Sequence, residues 1–241
     1  MLVIAAIIVF AASFIRGISG FGFALIATPL LTFVYPAKSV VIMNIILSAA
    51  TNIVVLVQMW KHVDSKRLIF MCLGSLFGTP LGAFALSKLD PATVKIVIAA
   101  CAIPFAVLLL LGHSHHFEKD RFGCAVAGFI GGVAGASTSL GGPPVVLFLL
   151  NQGLPAQKFV GTLAAYFLFI NLTSITAFSS LGMLTGDLIT KVVILLPVLF
   201  LGTQIGIWVL PKIKPAIFRR IATSVVCASA VGVIVSVFVK L

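Results

Sequence analysis

Two short stretches hold the residues best able to recognise a ligand within an otherwise apolar chain. Residues 131–144 read Gly-Gly-Val-Ala-Gly-Ala-Ser-Thr-Ser-Leu-Gly-Gly-Pro-Pro, and residues 16–22 read Arg-Gly-Ile-Ser-Gly-Phe-Gly. Glycine lets the backbone leave helical geometry and approach a ligand. Proline opens a helix, because its missing N–H would be unpaired there anyway. Each stretch therefore reads as helix, interruption, new helix. The new helices start near Phe21-Gly22 and Gly142-Pro143. A helix start carries about half a positive charge and several unpaired N–H donors. With the hydroxyls of Ser19, Ser137, Thr138 and Ser139, two such starts suit an anion with several acceptor oxygens.

The candidate binding residues are Arg16, Ser19, Gly20, Phe21 and Gly22 at the first break. At the second they are Ser137, Thr138, Ser139, Leu140, Gly141 and Gly142. Asn52 and Asn171, one in the apolar run after each break, complete the set. Two roles are open for Arg16: direct contact with the ligand, or snorkelling and pairing with freed carbonyls. The two asparagines either cap backbone groups released by the breaks or touch the ligand. Close helix packing would explain the small residues, but not Gly-Gly-Pro-Pro inside an apolar segment.

What is missing narrows the chemistry. Asp64, Asp90, Glu118, Asp120 and Asp187 all fall in expected loops, as do His62, His113, His115 and His116. A cation carrier keeps a carboxylate at membrane depth, and this chain offers none there. A membrane enzyme would need nucleophile, base or metal ligands at one depth, so no catalytic role, metal or cofactor is expected. The cluster His113-Ser114-His115-His116 has no cysteine partner and reads as a solvated linker. Cys72, Cys101, Cys124 and Cys227 stand alone and read as buried thiols.

The elements around the breaks are those of a membrane protein. Of 241 residues, 61% are hydrophobic and 9% charged, against roughly 25% charged in a soluble domain. The net charge of +11 comes from basic residues scattered through short loops. That pattern sets orientation and does not suggest nucleic acid. The runs 2–15 and 21–34 have 14 residues each, too short for the ~20 that a span needs. Runs from 37 to about 60, 68–86 and 92–111 can span, and residues 112–121 form the longest polar piece. The pattern then returns, with runs 124–136 and 145–150 around the second break, then 156 to about 178, 188–210 and 216–239.

This repetition extends to individual residues. Gly22, Pro36-Ala37 and Asn52 match Gly141, Pro155-Ala156 and Asn171 at an offset of 119. Gly78-Thr79, Gly82, Lys88 and Pro91 match Gly202-Thr203, Gly206, Lys212 and Pro215 at 124. Loop charges indicate how the broken segments lie. If each is a hairpin returning to its own side, ten basic residues share one face and five the other. If each crosses once, the split is seven to eight. Because basic loops gather on the cytoplasmic side, the expectation is an all-α polytopic fold of two inverted repeats. Each repeat is a broken, re-entrant hairpin plus three transmembrane helices. The repeats are 1–111 and 122–241, joined by the linker 112–121.

Arg16-Gly17-Ile18-Ser19-Gly20-Phe21-Gly22 with Thr28-Pro29-Leu30, and Ser139-Leu140-Gly141-Gly142-Pro143-Pro144, resemble the repeated signature of the TauE/SafE sulfite-exporter-like permeases. The resemblance covers essentially the whole chain. It implies a multi-pass plasma-membrane carrier for a sulfur-containing anion such as sulfite, thiosulfate, a sulfonate or a related organic acid. The partners expected are that small anion and the bilayer, and the residues specify no coupling ion. An anion channel using the same site without alternating access is the alternative. The second break has Ser137-Thr138-Ser139 where the first has Ile18-Ser19-Gly20, so the two halves of the site are chemically unequal.

Overall fold

The computed structural model describes residues 1–19, 22–90, 93–94, 96–97 and 121–209. Among the described residues every regular element is helical. The first half holds α1 (Leu2–Ser19), α2 (Phe23–Leu31), α3 (Ala37–Met59), a 3₁₀ turn at Trp60–His62, and α4 (Ser65–Lys88). The second holds α5 (Arg121–Thr138), α6 (Gly142–Asn151), α7 (Ala156–Ser180) and α8 (Gly186–Val209). Helices α3, α4, α7 and α8 are long and apolar enough to cross a membrane. The expected spans 92–111 and 216–239, the linker 112–121 and its histidine cluster fall almost wholly outside the described residues.

The matched prolines do matching work. Pro36 and Pro155 precede α3 and α7 with φ,ψ of −57°, 138° and −53°, 143°. A proline ring holds φ near that value, so both helices are entered from the same extended geometry. Helix α4 begins instead with Asp64, whose carboxylate accepts from the Arg67 N–H at 3.3 Å.

The first helix runs further than its apolar run suggests, through Arg16 and Gly17 to Ser19. One internal glycine costs a helix only about 1 kcal/mol. The ladder therefore continues past it, and Arg16 stands in the last turn of a helix, not in the break. Gly22, at φ 97°, then opens α2. At the second break Ser139 takes φ 61°, and α6 folds back along α5. A Cβ on Gly141 would lie 2.3 Å from the Gly131 carbonyl oxygen, and one on Gly131 would lie 2.8 Å from Val145 Cγ2.

Tertiary contacts join the halves reciprocally. Helix α4 packs its Gly74, Gly78 and Gly82 against α5, where Cβ atoms would sit 1.9, 2.2 and 2.3 Å from the carbonyl oxygens of Ala125, Phe129 and Val133. Helix α8 does the same to α1: a Cβ on Gly202 would lie 2.7 Å from Phe10 O, and one on Gly206 2.2 Å from Phe14 O. Phe10 and Phe14 match Phe129 and Val133 at the offset of 119. In lipid, where apolar burial gives helices little reason to associate, such close backbone approach at small residues supplies the packing.

Polar contacts gather at the two ends of this bundle. At one end Lys38 Nζ donates to Ser87 O at 3.1 Å, and the Lys191 ammonium lies 5.2 Å from the Tyr35 ring centre. At the other, Arg67 donates to Asp64 at 2.5 Å and to Gln152 at 3.3 Å. There too the Asp64 N–H donates to Thr162 at 2.9 Å, and Arg121 stacks over Phe70. Partial burial pushes the Asp64 carboxyl up, but hydrogen bonds from Arg67 and the charges of Arg67 and Lys158 outweigh it. The group is held below the ordinary carboxylate range.

Candidate functional site

A cavity of about 50 Å³ lies where the breaks of the two halves meet. Room for one water takes about 10–15 Å³ by this measure, so the space suits a compact ion. Its lining follows the internal repeat. Arg16 and Gly135, Gly22 and Gly141, Phe23 and Gly142, Ser48 and Phe167, and Asn52 and Asn171 all line it. Each of these pairs is separated by 119 positions. The starts of α2 and α6 reach the same space, through residues 22–25 and Gly142.

Eight of the residues singled out in sequence share this lining: Arg16, Gly22, Asn52, Ser139, Leu140, Gly141, Gly142 and Asn171. Ser137 and Thr138 turn back on their own helix. Their hydroxyls donate to Val133 O and Ala134 O, each at 2.7 Å, and the Thr138 oxygen accepts from the Leu140 N–H at 3.2 Å. Ser19 ends α1, and Gly20 and Phe21 lie outside the described residues. The two glycines beginning α6 also differ. Gly141 is pressed against the α5 backbone, whereas a Cβ on Gly142 would meet only the Phe167 ring, at 3.4 Å. Gly141 is thus tied to packing and Gly142 to free space, although the sequence offers both as equivalent donors.

A family model for the sulfite exporter TauE/SafE family matches residues 5–233. The chain belongs to that family. Membership makes it a membrane transporter, from a transporter family and not an enzyme family, in agreement with the signature at residues 16–22 and 139–144. No curated protein and no solved structure matches the chain significantly.

In this TauE/SafE chain the electrostatics of the cavity are one-sided. Arg16 is 5% exposed, and its Nη2 donates to the Oδ1 of the fully buried Asn52. No carboxylate pairs with it among the described residues, whose ion pairs are Arg67–Asp64 and Lys191–Asp187. Three buried donors around the cavity have no protein partner: Arg16 Nε, Asn52 Nδ2 and Asn171 Nδ2. A buried cation without a counter-charge is costly, and unpaired buried donors add to that cost. A bound anion would relieve both.

A second polar group braces the site from behind. Thr28 Oγ1 and Ser139 Oγ lie 2.6 Å apart, and Asn44 Nδ2 donates to Thr28 Oγ1 at 2.9 Å. This ties α2 and α3 to the second break. Asn44 carried no signal in sequence, and Thr28 entered only through the Thr28-Pro29 signature. Residues 111 apart in the chain are brought together only by folding. Gly135 was legible in principle, as the position 119 residues after Arg16, whereas Ser48 and Phe167 map only onto each other and carried no such signal.

Proposed function

We propose that the protein is a secondary transporter of the plasma membrane that carries a small sulfur-containing anion. Sulfite, thiosulfate, a sulfonate or a related organic acid would bind between the two broken helices. One observation carries the reading: a buried arginine with no carboxylate partner among the described residues, at a cavity with unpaired amide donors from both halves. Such a site favours a ligand that brings negative charge and acceptor oxygens. Family membership, through its sulfite-exporter description, narrows that ligand to sulfur anions.

The transport mode rests on two inverted repeats, each opening with a re-entrant hairpin. Three features support this reading. Helix α6 runs back along α5, placing Gln152 within reach of Arg67, at the end where Arg121 also stacks on Phe70. Tyr35, beyond α2, meets Lys191 near the start of α8 at the other end. The glycine faces of α4 and α8 are exchanged reciprocally between halves. Inverted repeats around a site of facing helix starts are the usual machinery of alternating access.

Purified protein in liposomes should show saturable uptake of radiolabelled sulfite or thiosulfate, accelerated by unlabelled anion on the opposite side. Unitary currents without such counterflow would replace the carrier with a channel. For topology, single cysteines at Ser65 and Ser87, in a background lacking the native cysteines, should label from opposite sides of the membrane. Labelling from the same side would exclude this arrangement.

A further inference from the structure

The two repeat-related asparagines stand in different surroundings, and the difference assigns them different jobs. Arg16 lines the cavity in the first half, and its counterpart at the 119-residue offset, lining it in the second, is Gly135. Asn52 therefore has a guanidinium to hold and Asn171 has none. The Asn52 side-chain oxygen accepts from Arg16 Nη2, leaving its amide nitrogen without a partner. The Asn171 amide nitrogen is also unpartnered, in a residue 6% exposed on the cavity wall.

We propose that Asn52 is a positioning residue that orients Arg16 without neutralising it, and that Asn171 is the residue whose amide donates directly to the anion. The proposal deepens the anion-carrier reading and rests on it. The residue type at position 52 matters. An amide accepts from a guanidinium through its oxygen while its nitrogen still donates. A carboxylate there would hold Arg16 as firmly but would cancel the charge meant for the ligand. Position 171 faces a different demand, since an acceptor-only side chain there would repel the anion and compete with it for Arg16. One ligand would then be held from both halves by unlike means, by charge from the first and by a neutral hydrogen bond from the second.

Substitution by aspartate separates the roles, and one arm needs no ligand. In ligand-free detergent-solubilised protein, Asn52→Asp pairs the buried arginine and should raise the melting temperature by on the order of 5 °C. Asn171→Asp puts its carboxylate on the cavity wall that has no hydrogen bond to Arg16, so it relieves that charge only across the cavity and should raise the melting temperature less than half as much. Shifts of the same sign and size would overturn the division of labour, whatever the substrate proves to be. The second arm measures sulfite and thiosulfate affinity in a double-mutant cycle with Arg16→Gln. Asn52→Ala should weaken binding about tenfold in the wild type and clearly less in the Arg16→Gln background, where only its free Nδ2 donor is lost. Asn171→Ala should cost about the same factor in both, within the usual additivity of independent sites. Equal additivity for both asparagines would overturn the proposal while leaving the carrier reading intact. Wild-type protein that binds neither anion would overturn the carrier reading, and the melting shifts would still judge the pairing of Asn52 with Arg16.

Discussion

The two breaks perform the same geometric task with different chemistry. The first follows a helix whose last turn carries Arg16, and it opens α2 from a glycine at φ 97°. The second carries no charge and turns at Ser139, at φ 61°. Left-handed geometry is natural for glycine and costs another residue about 1–2 kcal/mol, yet serine stands where the first half has Gly20. Its hydroxyl lies 2.6 Å from Thr28 of the other half. The first break brings charge, while the second brings space, through Gly135 and Gly142, and a strained residue held by Thr28 of the other half. On the proposed reading, a duplicated scaffold keeps its fold-back while the residues at equivalent points diverge, because one cation would suffice for a single small anion.

The sharpest test of that asymmetry removes the charge. Arg16→Gln should reduce anion uptake at least a hundredfold, while stability holds or rises, since a buried uncompensated cation is relieved. Uptake and thermal melting would be read on the same preparation. Retained affinity would mean that the breaks alone hold the ligand, and the asymmetry would lose its functional meaning.

Next in size is the contrast between adjacent glycines. Gly141→Leu drives a side chain into the Gly131 carbonyl and the Gly135 backbone, so it should fail to yield folded protein. Gly142→Leu has only the Phe167 ring to displace and should fold while abolishing uptake by filling the cavity. Size-exclusion profiles beside uptake assays decide it. Equal folding of both would show that the second break is looser than its contacts imply.

The reciprocal seams should weaken alike. Gly78→Ala and Gly202→Ala each push a methyl against backbone or a short side chain of the partner helix. Each should cost about 1–3 kcal/mol, the usual range for overpacking. Strongly unequal losses in detergent melting would argue that the two seams are not structural equivalents.

At Ser139 the effects are smaller and oppose each other. Ser139→Ala keeps the left-handed strain and loses the Thr28 hydrogen bond, a net loss of about 0.5–1.5 kcal/mol. Ser139→Gly loses the same bond but relieves the strain, and should be close to neutral in stability. If alanine is as well tolerated as glycine, the hydroxyl contact contributes little.

The smallest expected effect contrasts the bundle ends and concerns pH. Asp64 is held below the ordinary carboxylate range by Arg67 and Lys158. Its folded pKa is therefore the lower one. The stability it adds is complete above the ordinary value of about 4 and fades as pH falls through the folded value. Asp64→Asn should flatten the acid limb of the stability profile by under about 1 kcal/mol, because the pair is partly exposed to solvent. An unchanged acid limb would remove the pair from the account.

Several features were decided by local chemistry and could be read directly from the chain. Proline entry to α3 and α7 depends on a ring that fixes φ wherever it stands. The breaks depend on glycine and proline disrupting a local ladder, and the spans depend on the length of apolar runs. The glycine faces at 78 and 82 and at 202 and 206 follow from helical periodicity, and the matched asparagines from internal repetition. Tertiary structure alone decided which glycine packs and which borders the cavity, since Gly141 and Gly142 are chemically identical and differ only in the backbone opposite them. It also brought Thr28, Asn44 and Ser139 together, and it gave Asn52 a guanidinium that Asn171 lacks. The contacts that Arg16 makes with Asn52 and that Thr28 makes with Ser139 join atoms 36 and 111 positions apart in the chain. Local propensity carries no information about such distances, because only the packing of helices within and between the two halves sets them.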